Sequence, residues 1–344
     1  MAKLTFDTAR LAGVVTTVGG QCRNADALQA EFGFSDAELE RLQKSLGLQS
    51  RYVAAPGVTT SDLCLRSAEE LLNGLGVAPS AIDAVIMVTQ TPDFRAPATA
   101  IHVAHRLGCT TDVLAFDIAL GCSGFVYGLN NAFALVNSGL QNVLLLVGDV
   151  ASRFAAPDDR AFAPLMGDAG AAALVTGQGT RSHFCLHSDG AGYRSLYIPG
   201  SGVRDETDAR GRSGYMYMNG AEVFNFTIKV VPTMFSEIFD YAQATPEMID
   251  FYVLHQPNKY ILHNIRKRLN LPSERVPDQT QAIYGNQNSA SIPGTLNGFL
   301  SEQLHQAGKK KLLFAGFGIG LSWGAAVTEV VDLYAPPIII DERS

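Results

Sequence analysis

Hydrophobic positions along this 344-residue chain follow two alternating patterns. Short continuous apolar runs, such as "AVIMV" from Ala84 and "VLLLV" from Val143, suit strands buried on both faces. Between them, apolar residues recur every three or four positions, which predicts helices over 63–75, 98–107, 124–138, 220–243 and 258–269. The clearest is "GFVYGLNNAFALVNSGL", where Phe125, Leu129, Phe133 and Val136 share one face and Gly139 marks the end. Strands of this kind alternating with amphipathic helices predict an α/β fold with parallel sheets covered on both sides.

The pattern occurs twice. "AIDAVIMVTQTPD" is echoed by "MIDFYVLHQPNK", and "NVLLLVGDV" by "KKLLFAGFG". Asp83 to Gly148 spans 65 positions and Asp250 to Gly316 spans 66, so an internal duplication is expected. The division it suggests is an N-terminal half over 1–175, a connecting segment over 176–214, a C-terminal half over 215–335 and a tail over 336–344. The stretch "PGSGVRDETDARGRSGYMYMNG" reads as a long surface excursion, and loops of that length usually carry function.

Composition narrows the function. Hydrophobic residues make up 47% of the chain, enough for a large core. A net charge of −7 and a pI near 5.5 exclude general nucleic-acid binding, which needs a basic surface. The longest apolar run, Leu312 to Val327, is interrupted by four glycines and is too short to span a bilayer. No signal-peptide pattern is read at the N-terminus. The five cysteines (22, 64, 109, 122 and 185) are odd in number and scattered, which suits reduced thiols in a cytoplasm. Neither C-x-x-C nor H-E-x-x-H occurs, so no metal site is expected.

Three side chains then stand out. Cys122 lies between Gly121 and Gly124 where a strand-like run turns into a helix. A thiol at a helix N-terminus feels the positive end of the dipole, which favours thiolate, and the glycines are expected to let a carbonyl approach the backbone. The other four cysteines read as small buried hydrophobes. His255 ends a strand in "LHQPN", where open α/β sheets collect ligands. Asn286, in "YGNQNSASIPG", would by itself be a turn residue.

Taken in order, "DIALGCSGFVYGL", "LMGDAGAAALV", "LHQPN", "YGNQNSASIP" and "GFGIGLSWG" resemble the signature stretches of the β-ketoacyl-acyl carrier protein synthase III family. The resemblance runs from about residue 11 to 331. It implies a thiolase-like fold of two duplicated halves in α-β-α-β-α layers, assembled as a homodimer. It also implies Cys122 as nucleophile, His255 and Asn286 as catalytic partners, and an oxyanion hole from the backbone N–H groups of Cys122 and Ile319. No cofactor is implied; the substrates would be CoA or phosphopantetheine thioesters.

The family pattern further assigns Asn258 and Arg160 to the substrate's thioester arm and nucleotide. Ala96 would come from the partner subunit to the acyl tunnel, where a methyl in place of a large aromatic implies a donor longer or bulkier than acetyl. Lys259, Arg266, Lys267 and Arg268 would dock an acyl carrier protein. Arg41, Ser45 and Tyr260 stand where acyl-CoA-primed members have nucleotide contacts, so a carrier-bound donor is as open as a CoA-bound one. Two other activities keep the same residues: acyl transfer from Cys122 to an alcohol or amine, and a noncatalytic partner subunit.

Overall fold

The computed structural model describes residues 2–306 and 308–343. Two mixed sheets carry the fold. One runs in spatial order Ile339–Ile340, Arg10–Val18, Ala169–Thr176, Asn142–Asp149, Ala84–Val88 and Leu114–Ile118. The other runs Ala2–Phe6, Ser182–Ser188, Ser322–Val331, Lys309–Gly318 and Phe251–Leu254.

Each sheet mixes parallel and antiparallel pairs. Ala84 lies opposite Val143 and Phe251 opposite Leu312 in parallel register. By contrast, Asn142–Asp149 runs antiparallel to Ala169–Thr176, and Lys309–Gly318 to Ser322–Val331. This corrects the expectation of parallel sheets. The apolar runs record burial on both faces, which either strand direction permits.

The helices complete the expected five layers. Gly124–Asn137 and Ser291–Phe299 lie between the sheets. Thr60–Leu75 and Thr99–Leu107 cover the outer face of the first sheet, while Gly220–Ala242 and Lys259–Leu269 cover the second. Phe125 meets Phe314 edge to face at 5.5 Å, and Phe133 meets Phe184 at 5.4 Å, so the central helix joins both sheets through aromatic contacts.

Chain order departs from the expected division at three places. Ser182–Ser188, within the supposed connecting segment, is an interior strand of the second sheet. Ala2–Phe6 joins that same sheet rather than the first. Ile339–Ile340, in the supposed tail, pairs with Thr17 and Val18. Each of these strands finds its partner far away in sequence, where local patterning carries no signal. Two helices also went unread: Ala25–Phe32, capped by Asn24, and Asp36–Leu46, opened by a Ser35–Glu38 capping box.

Candidate active site

Cys122 sits just before the helix Gly124–Asn137, in the turn that follows the strand Leu114–Ile118. The turn between Lys309–Gly318 and Ser322–Val331 closes over it. The backbone N–H groups of Ile319 and of Cys122 itself lie near enough to the sulfur to favour its ionised form. A Cβ on Gly318 would lie 2.8 Å from Cys122 Sγ, so only glycine leaves the sulfur room there.

Gly121 and Gly124 have a different role from the one expected. A Cβ on Gly121 would fall 2.3 Å from Gln90 Oε1, and one on Gly124 would fall 2.6 Å from Val88. These glycines admit protein side chains rather than substrate. The thiolate expectation is also corrected. Burial, aided by the Asp149 carboxylate, pushes the Cys122 thiol up to about 11 against the two N–H groups.

His255 follows the strand Phe251–Leu254 and is 2% exposed. Burial lowers its pKa to about 3, so the ring is neutral across the physiological range. Its Nδ1 lies 2.7 Å from Ser291 Oγ, which is also 2.8 Å from the Asn288 carbonyl. The hydroxyl has a single hydrogen. Directed to Nδ1, it leaves the proton on Nε2, making that nitrogen a donor. Directed to the carbonyl, it leaves Nε2 a lone pair.

Asn286 is held by backbone pairing with the "LMGDAG" segment: its N–H donates to Leu165 at 2.7 Å and its carbonyl accepts from Gly167 at 3.0 Å. Any Cβ on Gly167 would lie 2.0 Å from the Tyr284 carbonyl, so that close pairing needs glycine. The Asn286 Oδ1 accepts the Asn288 N–H at 3.0 Å, which commits the oxygen and leaves Nδ2 as the free donor.

Cys122, His255 and Asn286 line one cavity, together with Asn258 and Ile319. Gln90, Asn288 and Thr227 add polar groups, and much of the remaining wall is apolar: Phe154, Phe162, Met166, Leu196, Met216 and Met218. Met216 and Met218 come from the excursion, whose end Tyr217–Met218 pairs with Leu196–Tyr197. The excursion therefore builds a cavity wall. In such a setting a nucleophile under two N–H donors can carry an acyl group, and two side-chain donors can hold a second carbonyl.

Several assigned residues lie elsewhere. Arg160 pairs with Glu38 at 3.0 Å, donates to the Gly33 carbonyl and lies 4.7 Å from the centre of the Phe34 ring. It is thus tied to the two unread helices and is absent from the cavity lining. Ala96 is exposed on the surface, also outside that lining. Asn258 lines the cavity and caps the helix Lys259–Leu269 by accepting the Ile261 N–H at 2.9 Å. Along that helix Lys259, Lys267 and Arg268 are exposed, whereas Arg266 is engaged by Asp278 at 3.1 Å.

Comparison with known proteins now bears on this cavity. Residues 116–190 match the family described as 3-Oxoacyl-[acyl-carrier-protein (ACP)] synthase III, and residues 239–330 match its C-terminal part. A beta-ketoacyl-[acyl-carrier-protein] synthase III from Gloeobacter violaceus is 36% identical over 294 residues, 83% of this chain and 88% of that protein. The chain belongs to the synthase III family.

Solved structures agree. The 3-oxoacyl-(acyl-carrier protein) synthase from Burkholderia xenovorans matches with a TM-score of 0.94 at 35% identity, covering 99% of both chains. The synthase III from Thermus thermophilus matches with a TM-score of 0.83 at 36% identity, covering 92% of this chain and 98% of that one. Sequence reasoning missed Asn288 and Gln90, which line this synthase III cavity, and Ser291 and Asp149, which stand behind it. "NQNSAS" reads as turn chemistry, and Asp149 and Gln90 reach it from strand ends in the other half.

Proposed function

We propose that this synthase III carries out a decarboxylative Claisen condensation, joining an acyl thioester to malonyl-acyl carrier protein and releasing a 3-oxoacyl thioester. The observation that supports it best is the meeting of Cys122, under its two N–H groups, with the His255 ring and the free Asn286 amide in one cavity.

In this reading Cys122 Sγ attacks the donor's thioester carbonyl, and the negative oxygen is held by the Cys122 and Ile319 N–H groups. The C–S bond of the donor breaks, and the thiol leaves with the proton that Cys122 gave up. Malonyl thioester then enters. Its bond to the carboxylate breaks, CO2 leaves, and the electron pair moves into the thioester as an enolate held by His255 Nε2–H and Asn286 Nδ2. That carbon attacks the acyl-Cys122 carbonyl. The C–S bond breaks, Cys122 leaves as a thiolate, and a proton taken up from solvent restores the thiol. The neutral His255 ring suits a hydrogen-bond donor rather than a cation.

The finer parts of the reading concern partners. A homodimer is supported by the open edge strand Leu114–Ile118, beside which Phe94, Ile101 and Leu114 stand 52%, 52% and 45% exposed. In that dimer Ala96 of one copy completes the acyl chamber of the other, and the donor is longer or bulkier than acetyl. Lys259, Lys267 and Arg268 steer the acidic carrier protein. All five cysteines are free thiols, which suits a reducing compartment such as the cytoplasm.

The test is malonyl-dependent CO2 release with a panel of acyl donors, followed with the mass of the Cys122 peptide. Condensation predicts CO2 release and an acyl adduct on Cys122. An adduct discharged to alcohols or amines without CO2 release would support the acyl-transfer alternative instead.

A further inference from the structure

Asn288 stands two residues past Asn286, in left-handed backbone with φ of 51°. Its amide makes three contacts that fix its direction. Nδ2 lies 2.7 Å from Asp149 Oδ2 and 3.3 Å from Gln90 Oε1. An ionised carboxylate and an amide oxygen only accept, so the NH2 end must face them. That turns Oδ1 towards Cys122, with Sγ 3.1 Å away. An acceptor placed against sulfur bonds to S–H and is repelled by a thiolate.

The brace behind this contact is firm. Asp149 is fully buried at the end of the strand Asn142–Asp149. It accepts the Gln90 N–H at 2.7 Å, the Thr91 N–H at 3.2 Å, the Thr89 hydroxyl at 3.1 Å and the Ser289 hydroxyl at 3.3 Å. Besides Cys122 itself, His255 is the ionisable side chain that lines the sulfur's cavity, and Asp149 stands behind Asn288. Among the described residues, the segments bearing Gln90, Phe317 to Ile319 and Asn286 to Ser291 contribute no charge there. Burial raises the Asp149 carboxyl to about 6, so above that pH its negative charge also opposes a thiolate.

We propose that Asn288 is a positioning residue: braced by Asp149 and Gln90, its amide oxygen keeps Cys122 protonated and aimed until a thioester fills the cavity. The resting nucleophile is thereby shielded from small electrophiles and oxidants, whose reactions need thiolate. When a donor thioester is attacked, the Cys122 proton leaves with the departing thiol, and Oδ1 gives up its partner. The proposal rests on the reading of Cys122 as the acyl-carrying residue.

The test is the pH profile of alkylation by iodoacetamide on the full-length protein, followed on the Cys122 peptide by mass spectrometry. In the wild type the half-point is expected well above the ordinary thiol value of about 8.5. Asn288→Gly suits the left-handed backbone and removes the acceptor. It is expected to alkylate about tenfold faster at pH 8, equivalent to a half-point one unit lower. A wild-type half-point at or below the ordinary value would overturn the proposal without need of any variant. A folded Asn288→Gly with the wild-type profile would do the same. Neither readout involves acyl transfer, so failure to detect an acyl-Cys122 adduct would count against the proposed function and leave this profile to be judged alone.

Discussion

At one end of the two sheets the same backbone device is used twice, while at the other end the copies have parted. Asp83 accepts the N–H groups of Gln141 and Asn142 at 2.7 and 2.9 Å, and Asp250 accepts that of Lys311 at 2.7 Å. Each carboxylate ties the start of one strand to its parallel neighbour. At the cavity end, the first half supplies a thiol at a helix N-terminus and a buried carboxylate. The second supplies a neutral imidazole and two amides. Pairing geometry, which any condensation chemistry tolerates, stayed duplicated; the strand-end side chains, which the chemistry distinguishes, did not.

Several substitutions would break or sharpen this contrast. The largest effect is expected from Cys122→Ala, which should abolish both the acyl adduct and condensation in a folded protein; an adduct mass retained in that variant would move the nucleophile elsewhere. Next come His255→Ala and Asn286→Ala. Loss of such donors commonly lowers rates by about 10²–10³. Condensation should fall by that order while the Cys122 peptide still gains the acyl mass, which single-turnover labelling would separate.

Ser291→Ala tests the choice of His255 tautomer. Without the hydroxyl, Nδ1 loses the partner that can hold the proton on Nε2, which weakens the Nε2 donor. Malonyl decarboxylation should drop about tenfold, the scale of one lost hydrogen bond. Acylation of Cys122 should be little altered, and nitrogen NMR of the imidazole reads the tautomer directly. Reversing the charges of Lys267 and Arg268 should act more weakly. The expected result is an apparent KM for carrier-bound malonate several-fold higher, with flatter salt dependence. The smallest effects belong to the duplicated ends. Asp83→Ala and Asp250→Ala should each lower stability by about 1 kcal/mol in chemical denaturation and leave turnover per folded molecule unchanged.

The same contrast explains what could be read from sequence. The helix Gly124–Asn137 was legible because its apolar spacing and Gly139 are local signals. Cys122, His255 and Asn286 were legible because each sits in a signature stretch, and the cavity does gather them. The strand Ser182–Ser188 was not, since its partners Ala2–Phe6 and Ser322–Val331 lie more than a hundred positions away. Strand direction was hidden by burial on both faces. Arg160 sits against Glu38 and Phe34, beside helices whose caps at Asn24 and Ser35 could have been noticed. Asn288 was concealed for a different reason. Its meaning comes from Asp149, contributed by the other half, and nothing in "NQNSAS" announces that partner.

The central claim is that one half carries the acyl group and the other half discharges it onto carbon. The measurement that tests this most directly is a chase. Wild-type protein is incubated with a long-chain acyl donor until the Cys122 peptide carries the acyl mass, and malonyl-acyl carrier protein is then added. The account predicts that the adduct disappears in step with CO2 release, and that a 3-oxoacyl carrier protein two carbons longer than the donor chain forms in equal amount. An adduct on Cys122 that persists while CO2 is released, or that never forms, would contradict it.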